Sequence, residues 1–207
     1  LEFKKLKETL SLSNDTFVRT TDEGHVRAAQ ELWKRCDAAG DIYKKSYEGR
    51  YCVGCEAYKT EKDLNEEGRC TLHPQADLKT ITEENYFFRM GKYQERLLQH
   101  IEAQPDFIRP EGFRNEVVAM LREPIGDLSI SRPKTRLTWG IELPFDQRYV
   151  TYVWFDALVN YISVLGWPED LEKFERFWGT NEQPKALQIG GKDNLRQQSA
   201  MWQAMLM

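Results

Sequence analysis

Tyr51 to His73 reads YCVGCEAYKTEKDLNEEGRCTLH and holds two close pairs of soft ligands, Cys52/Cys55 and Cys70/His73. The pairs bracket a charged loop of 14 residues. Zinc takes four tetrahedral nitrogen or sulfur ligands, and a two-residue gap lets each pair grip one ion from a tight turn. C-x2-C followed by C-x2-H is therefore the spacing of a zinc site. Two other readings stay open, incidental thiols and a disulfide. Three of the four cysteines and one of the three histidines fall in this 22-residue window, which weighs against chance. Lys- and Glu-rich surroundings without secretory features weigh against a disulfide. Four protein ligands close the coordination sphere, so such a site is structural rather than catalytic.

The rest of the chain has an ordinary globular composition. Its 207 residues suffice for one large domain or two small ones with a core. The net charge of -4 leaves no global basic field for nucleic acid, so only a local patch could hold it. No apolar run nears the ~18 residues of a membrane span. The polar opening Leu1-Glu2-Phe3-Lys4-Lys5 lacks the apolar stretch of a signal peptide, which points to the cytoplasm. The chain starts without Met and stops within a helix pattern, MWQAMLM, as an excised fragment does.

Upstream of the loop, residues 3–10 read as a helix tail and Asn14 to Thr20 as a short strand burying Phe17 and Val18. A helix over 23–39 places Ala29, Leu32, Trp33 and Cys36 on one face, and Gly40 ends it. Cys36 is then a core thiol, and His25 in the first turn serves capping or packing. Asp41 to Tyr51 leads into the loop as short strands. Downstream, Thr80 to Met90 suits a strand or a helix entry. Helices follow at Lys92 to Ala103 and Phe113 to Arg122. Leu128 to Arg132, Trp139 to Leu143, Arg148 to Trp154 and Ala186 to Ile189 read as strands. A helix follows Trp154 until Gly166 and Pro168, with a short one at Leu171 to Phe177. Asp193 can cap a last helix to Met207.

Two strand-to-helix junctions could carry chemistry. In YVTYVWFDALVNYI, Trp154 and Tyr161 are seven positions apart, hence on one helix face, and either wall a small apolar pocket or pack the core. In Ile189-Gly190-Gly191-Lys192-Asp193, glycines let a ligand approach the backbone, although an ordinary turn has the same composition. Arg132, at a strand end, suits a phosphate, a carboxylate or a surface ion pair.

Taken in order, YEGRYCVGCEAYKTEKDL, GRCTLHP, ENYFFRM, DLSISRP with WGIELP, YVTYVWFDALVNYI and GGKDNLR resemble the bacterial methionyl-tRNA synthetases across nearly the whole chain. The resemblance implies an α/β fold: a partial Rossmann-like class I synthetase catalytic domain with a zinc-knuckle connective insertion. Residues 1–45 would belong to the catalytic half, 46–125 to the insertion and 126–207 to the return. It implies activation of methionine with ATP and Mg2+, then acyl transfer to tRNA(Met). By it, Cys52, Cys55, Cys70 and His73 hold structural zinc, and Trp154, Ala157 and Tyr161 line the methionine pocket. Gly191 and Asp193 match the turn that holds the nucleotide ribose. Arg132 lies beside the active site, and Lys192 joins it as a candidate catalytic residue.

The departures carry equal weight. No HIGH-type or KMSKS-type motif occurs, and the anticodon-binding helical domain is missing. The N-terminal and C-terminal parts of a synthetase are the implied missing partners, and the chain alone is expected to be inactive. The family usually reads like HIIGKDILRFHAIYWPAML where this chain reads QIGGKDNLRQQSAMWQAML. Gln188 and Gln198 stand for histidines, Gly190 and Asn194 for aliphatics, Gln197 and Met201 for aromatics, and Gln203 for proline. Arg50 also replaces an aromatic. Positions 194, 197, 198 and 201 share one helix face, expected to face solvent, with Leu195, Trp202 and Leu206 as a separate apolar stripe. The alternative to a synthetase fragment is a non-catalytic, zinc-stabilised module that touches the tRNA acceptor end.

Overall fold

The structure is a computed structural model that describes residues 2–55, 57–180 and 182–207. Two short helices' worth of sequence precede the first strand. Helix α1, Glu2–Thr9, is exposed throughout its described side chains. Helix α2, Glu23–Ala38, buries the anticipated face of Ala29, Leu32, Trp33 and Cys36, and His25 and Ala28 are buried with it. Between them Asn14 to Thr20 is not a strand. No neighbouring strand receives its backbone, and Phe17 stays 44% exposed. Extended propensity without a partner is not enough to make a strand.

Strands β1, Ile42–Cys52, and β3, Lys79–Phe88, form one long antiparallel ribbon, from Ile42↔Phe88 to Tyr51↔Lys79. Nine steps of about 3.4 Å carry its tip about 30 Å from its root. Strand β1 is thus a single strand rather than several short ones, and it runs unbroken through residues 45 and 46. Strand β2, Ala57–Lys59, flanks the tip, and β4, Leu128–Ser129, flanks the root, giving the order β2-β1-β3-β4. Mid-ribbon positions such as Lys45, Ser46 and Glu84 are exposed, so the ladder and cross-strand pairs such as Lys44–Glu84 (2.6 Å) hold this stretch.

Helices α3, Gln94–Ala103, and α4, Glu111–Arg122, pack as a pair through Leu97, Ile101, Val117 and Leu121. Strands β5, Ser131–Pro133, and β6, Tyr149–Thr151, make a second small sheet. Trp139 to Leu143 adds only a bridge, Glu142↔Val150, not a strand. All pairings among the described residues are antiparallel.

The core gathers where α2 meets the ribbon root. Trp33 is fully buried, its ring edge-on to Tyr86, Phe145 and Phe155, and its Nε1 donates to Thr151 Oγ1 at 3.0 Å. Asp41 ties the root: its buried carboxylate accepts from Lys92 Nζ (2.6 Å) and Tyr93 Oη (2.5 Å), residues where the ribbon's other strand ends. The anticipated helix after Trp154 splits into α5, Val153–Ala157, and α6, Asn160–Ser163. Leu158 and Val159 keep right-handed angles, but Tyr161 N bonds to Leu158 O and Ile162 N to Val159 O, the tighter i→i−3 pattern. Helix α7 is Leu171–Trp178. Ala186 to Ile189 is not a strand among the described residues: Ala186 N donates to Trp178 O, and the three residues after it make no backbone–backbone hydrogen bond. The final segment is a 3₁₀ turn at Lys192–Asn194, a π-helical turn at Gln197–Met201, and α8, Trp202–Leu206. Gly191, not Asp193, is its N-cap.

Candidate functional site

The ribbon tip brings Cys52, Cys55, Cys70 and His73 together, with their ligand atoms all within 4.8 Å of one another. Each part of the loop has a local cause. Thr60 and Asp63 form a capping box on the 3₁₀ turn Glu61–Asp63. Asn65 Oδ1 accepts from the backbone of Glu67 and Arg69, and Gly68 takes φ +73° to close the turn. His73 N donates to Cys70 O at 3.2 Å, folding the second pair on itself. Arg50, the expected replacement for an aromatic, pairs with Glu61 at 2.7 Å.

The spacing of the four atoms fits one ion. A tetrahedron with Zn–S of 2.3 Å and Zn–N of about 2.0 Å has edges of roughly 3.8 Å (S···S) and about 3.5 Å (S···N). Cys55 Sγ lies 3.5 Å from Cys70 Sγ and 3.1 Å from His73 Nδ1, and Cys52 Sγ lies 3.8 Å from that nitrogen. A disulfide needs about 2.05 Å, and all three thiols are free. Burial opposes ionisation of Cys70. Backbone N–H groups of His73 and Leu72 and the neighbouring thiols outweigh it, and the pKa falls to about 6. Lys59 beside Cys55 adds a cation to the same corner. Gly54 completes the cradle, because a Cβ there would stand 2.6 Å from His73 Cδ2.

The tip is tied to the second sheet by a residue that sequence reading missed. Arg136 lies 3.8 Å over the Tyr51 ring and bonds Glu83 at 2.7 Å. No local pattern marks it, since its partners lie 85 and 53 positions away. Arg132 is half-buried. Its Nη1 donates to Ser131 O (2.7 Å) and Ser129 Oγ (3.0 Å), and its guanidinium stacks 4.2 Å over Tyr152. Burial pulls its pKa down. It makes no carboxylate pair among the described residues.

Trp154, Ala157 and Tyr161 are all half-buried, on the broken segment α5–α6. Because the hydrogen bonding tightens between them, seven-residue spacing no longer guarantees one face. Tyr161 packs 6.0 Å from Trp202 and accepts a hydrogen bond from Gln198 Nε2. The face expected in solvent is therefore turned inward: Asn194, Gln197 and Gln198 are half-buried and Met201 is buried. The apolar stripe also breaks, since Trp202 is fully buried while Leu206 is 41% exposed. Gly190 explains part of the inward turn. A Cβ at Gly190 would lie 2.1 Å from Gln198 Oε1, so the side chain of Gln198 fills the space an aliphatic residue would need.

Gly191 and Lys192 line a cleft of about 600 Å3 between the α3–α4 turn and residues 186–203, with Phe107, Arg109, Phe113 and Trp178 on its far wall. Gly191 and Asp193 are exposed, and a Cβ at Gly191 would meet nothing within 4 Å. Lys192 Nζ lies 5.9 Å over the Phe113 ring. Gln188, on the lining of this cleft, has a buried Nε2 without a partner among the described residues, and so do Gln197 (Oε1) and Trp202 (Nε1) on the following segment. Sequence and structure together thus give one assembled ligand cluster and one open, incompletely satisfied face.

The family profile described as tRNA synthetases class I (M) matches residues 1–79 and 62–207. Methionine–tRNA ligase of Fusobacterium nucleatum is 42% identical over 205 residues, covering 99% of this chain and 31% of the relative. That of Streptomyces coelicolor is 43% identical over 212 residues, covering 99% of this chain and 38% of its own length. The crystal structure of Mycobacterium tuberculosis methionyl-tRNA synthetase bound by methionyl-adenylate superposes with a TM-score of 0.86 at 40% identity. It covers 99% of this chain and 40% of that one. The chain thus spans about a third of the length of the curated relatives it matches. No helix among the described residues is long and apolar enough to cross a membrane. With a profile matching from end to end and relatives of this identity, the chain belongs to the class I (M) tRNA synthetases.

Proposed function

We propose that this chain is the middle part of a cytoplasmic methionine–tRNA ligase, which activates methionine with ATP and Mg2+ and transfers it to tRNA(Met). The observation that carries the reading is the Cys52/Cys55/Cys70/His73 quartet, three sulfurs and one nitrogen gathered within 4.8 Å of one another in a chain that matches such ligases along its whole length. In this reading the ribbon and its tip are a zinc knuckle on a connective insertion, residues 46–125. Residues 1–45 and 126–207 belong to a Rossmann-like catalytic half. Zinc supplies a structural cross-link there, joining the two ends of a loop too polar to fold on its own core.

On the catalytic side Trp154, Ala157 and Tyr161 line the methionine pocket, and Gly191 with Asp193 holds the ribose of ATP. Arg132 and Lys192 supply positive charge toward the phosphates. Arg132 suits this role because it is half-buried, stacked and free of a carboxylate, so its charge remains for a ligand. The unsatisfied amide groups of Gln188 and Gln197 support the same placement, since buried polar groups without partners mark a face that something polar completes. The chemistry is mostly positioning and charge stabilisation at the α-phosphate, which needs both halves of a site.

Methionine-dependent exchange of pyrophosphate into ATP tests the reading. The chain alone should give none, and the same chain joined to the remaining two-thirds of a relative should give it. A joined protein that folds but fails to exchange would remove the functional reading. Zinc content by elemental analysis should be one ion per chain, and a folded metal-free ribbon tip would contradict the knuckle.

A further inference from the structure

His25 is buried, titratable and unused by the proposed reaction. It is 2% exposed, in the first turn of α2. Both ring nitrogens are taken by one distant segment. Nε2 lies 2.6 Å from Asp156 Oδ1 and Nδ1 lies 3.0 Å from Ser163 Oγ. A carboxylate only accepts, so Nε2 carries the proton toward Asp156. In the neutral ring Nδ1 is then the acceptor, and the Ser163 hydroxyl donates to it at 3.0 Å in preference to the longer contact with Asn160 O at 3.5 Å. The trio has the composition of a nucleophilic triad. Its setting argues against that use: His25 is sealed from solvent, and Ser163 lines none of the main cavities.

The position of the two contacts gives a different role. Asp156 falls between Trp154 and Ala157, and Ser163 lies two residues past Tyr161. Between the contacts the helix breaks at Leu158 and Val159 and is held mainly by i→i−3 bonds, a pattern with poorer hydrogen-bond geometry, with an i→i−4 bond resuming only at Ser163 N to Val159 O. Trp33, two turns along α2, holds Thr151 just before this segment. We infer that His25 is a positioning residue for the amino-acid pocket: it clamps both ends of 156–163 and so sets how Trp154, Ala157 and Tyr161 face one another. The inference rests on the proposed methionine-binding role of those three side chains.

The test uses the whole 207-residue chain, His25→Phe (bulk kept, both bonds lost), His25→Gln (a donor kept for Asp156) and Ser163→Ala. Nitrogen shifts of the wild-type ring should report the tautomer protonated at Nε2. The Nδ1-protonated tautomer would overturn the clamp. Amide exchange over 157–163 should quicken at least tenfold in His25→Phe and less in Ser163→Ala, while α4 stays protected. Unchanged exchange there would overturn it too. Titration with L-methionine, followed by the Trp154 and Tyr161 ring signals, should show binding weakened about tenfold in His25→Phe. His25→Gln should recover part of it. Equal affinity in all variants would overturn the positioning role. A wild-type chain that does not respond to methionine would remove the pocket reading instead, and the tautomer and exchange results would then decide the clamp. Should His25→Phe not fold, Ser163→Ala and His25→Gln carry the same comparisons.

Discussion

Gly54 carries no side chain because the ring of His73 occupies the place where one would be. The three nearest atoms it would meet, Cδ2, Cγ and Nε2, all belong to that stiff aromatic ring. Gly54→Ala should therefore swing His73 off the quartet and weaken zinc binding about 10–100-fold, the usual cost of disturbing a ligand's support. Competition with a chromophoric chelator measures it. Asp146 is the second residue with a sharp consequence. Its buried carboxylate accepts from Arg148 (2.8 Å, twice) and Tyr86 (2.9 Å), and these bonds hold its pKa well below the ordinary carboxylate range. A depressed folded pKa stabilises at neutral pH. That contribution is complete above the unfolded value of about 4 and is lost as pH falls from there through the folded value. Asp146→Asn should cost about 1–3 kcal/mol at pH 7 by denaturant unfolding. The gap between variant and wild type should shrink below about pH 3. Neither residue stands out in the sequence. Gly54 was legible only as part of C-x2-C, and Asp146 has its second partner, Tyr86, 60 positions away.

At the scale of elements, the legible parts are those whose signal is local. The face of α2 recurs at helical spacing and is buried as read, and α3 and α4 follow the same rule. The clustering of Cys52, Cys55, Cys70 and His73 was legible because the members of each pair are three positions apart in sequence. What failed needed a neighbour. Asn14 to Thr20 and Ala186 to Ile189 have strand-like composition but no strand beside them. Residues 192–201 pass through 3₁₀ and π turns instead of one helix, so an even 3.6 spacing misplaced the Gln197 and Gln198 face. The Gly190 and Gln198 pair shows how such a face can turn inward. Adding a methyl at Gly190 should push the Gln198 amide away from Tyr161, and Gln198→Ala should relieve the clash. A double-mutant cycle on Gly190→Ala and Gln198→Ala should then give a coupling of about 0.5–3 kcal/mol. Additive effects would mean that the two residues do not share that space.

At the scale of the whole molecule, the long antiparallel ribbon and the core around Trp33 are complete in themselves, and one face is not. Residues Leu187 to Gly190 make no backbone–backbone hydrogen bond among the described residues, while Leu187 and Ile189 point outward at 83% and 85% exposure. Composition carries no warning of this, since a buried strand and a bare one have the same alternation. The curated relatives it matches are about three times as long as this chain. That bare edge has a colloidal consequence. Unpaired amides flanked by alternating aliphatic side chains are a template on which another molecule's strand can add. The isolated chain should therefore self-associate as its concentration rises, with light scattering that grows with time and with strand content by infrared. Leu187→Lys with Ile189→Lys should keep it monomeric by sedimentation without lowering its unfolding midpoint, because neither side chain contributes to the core. Handling the polypeptide in solution is thus governed less by the Cys/His cluster at the ribbon tip than by four residues near its other end.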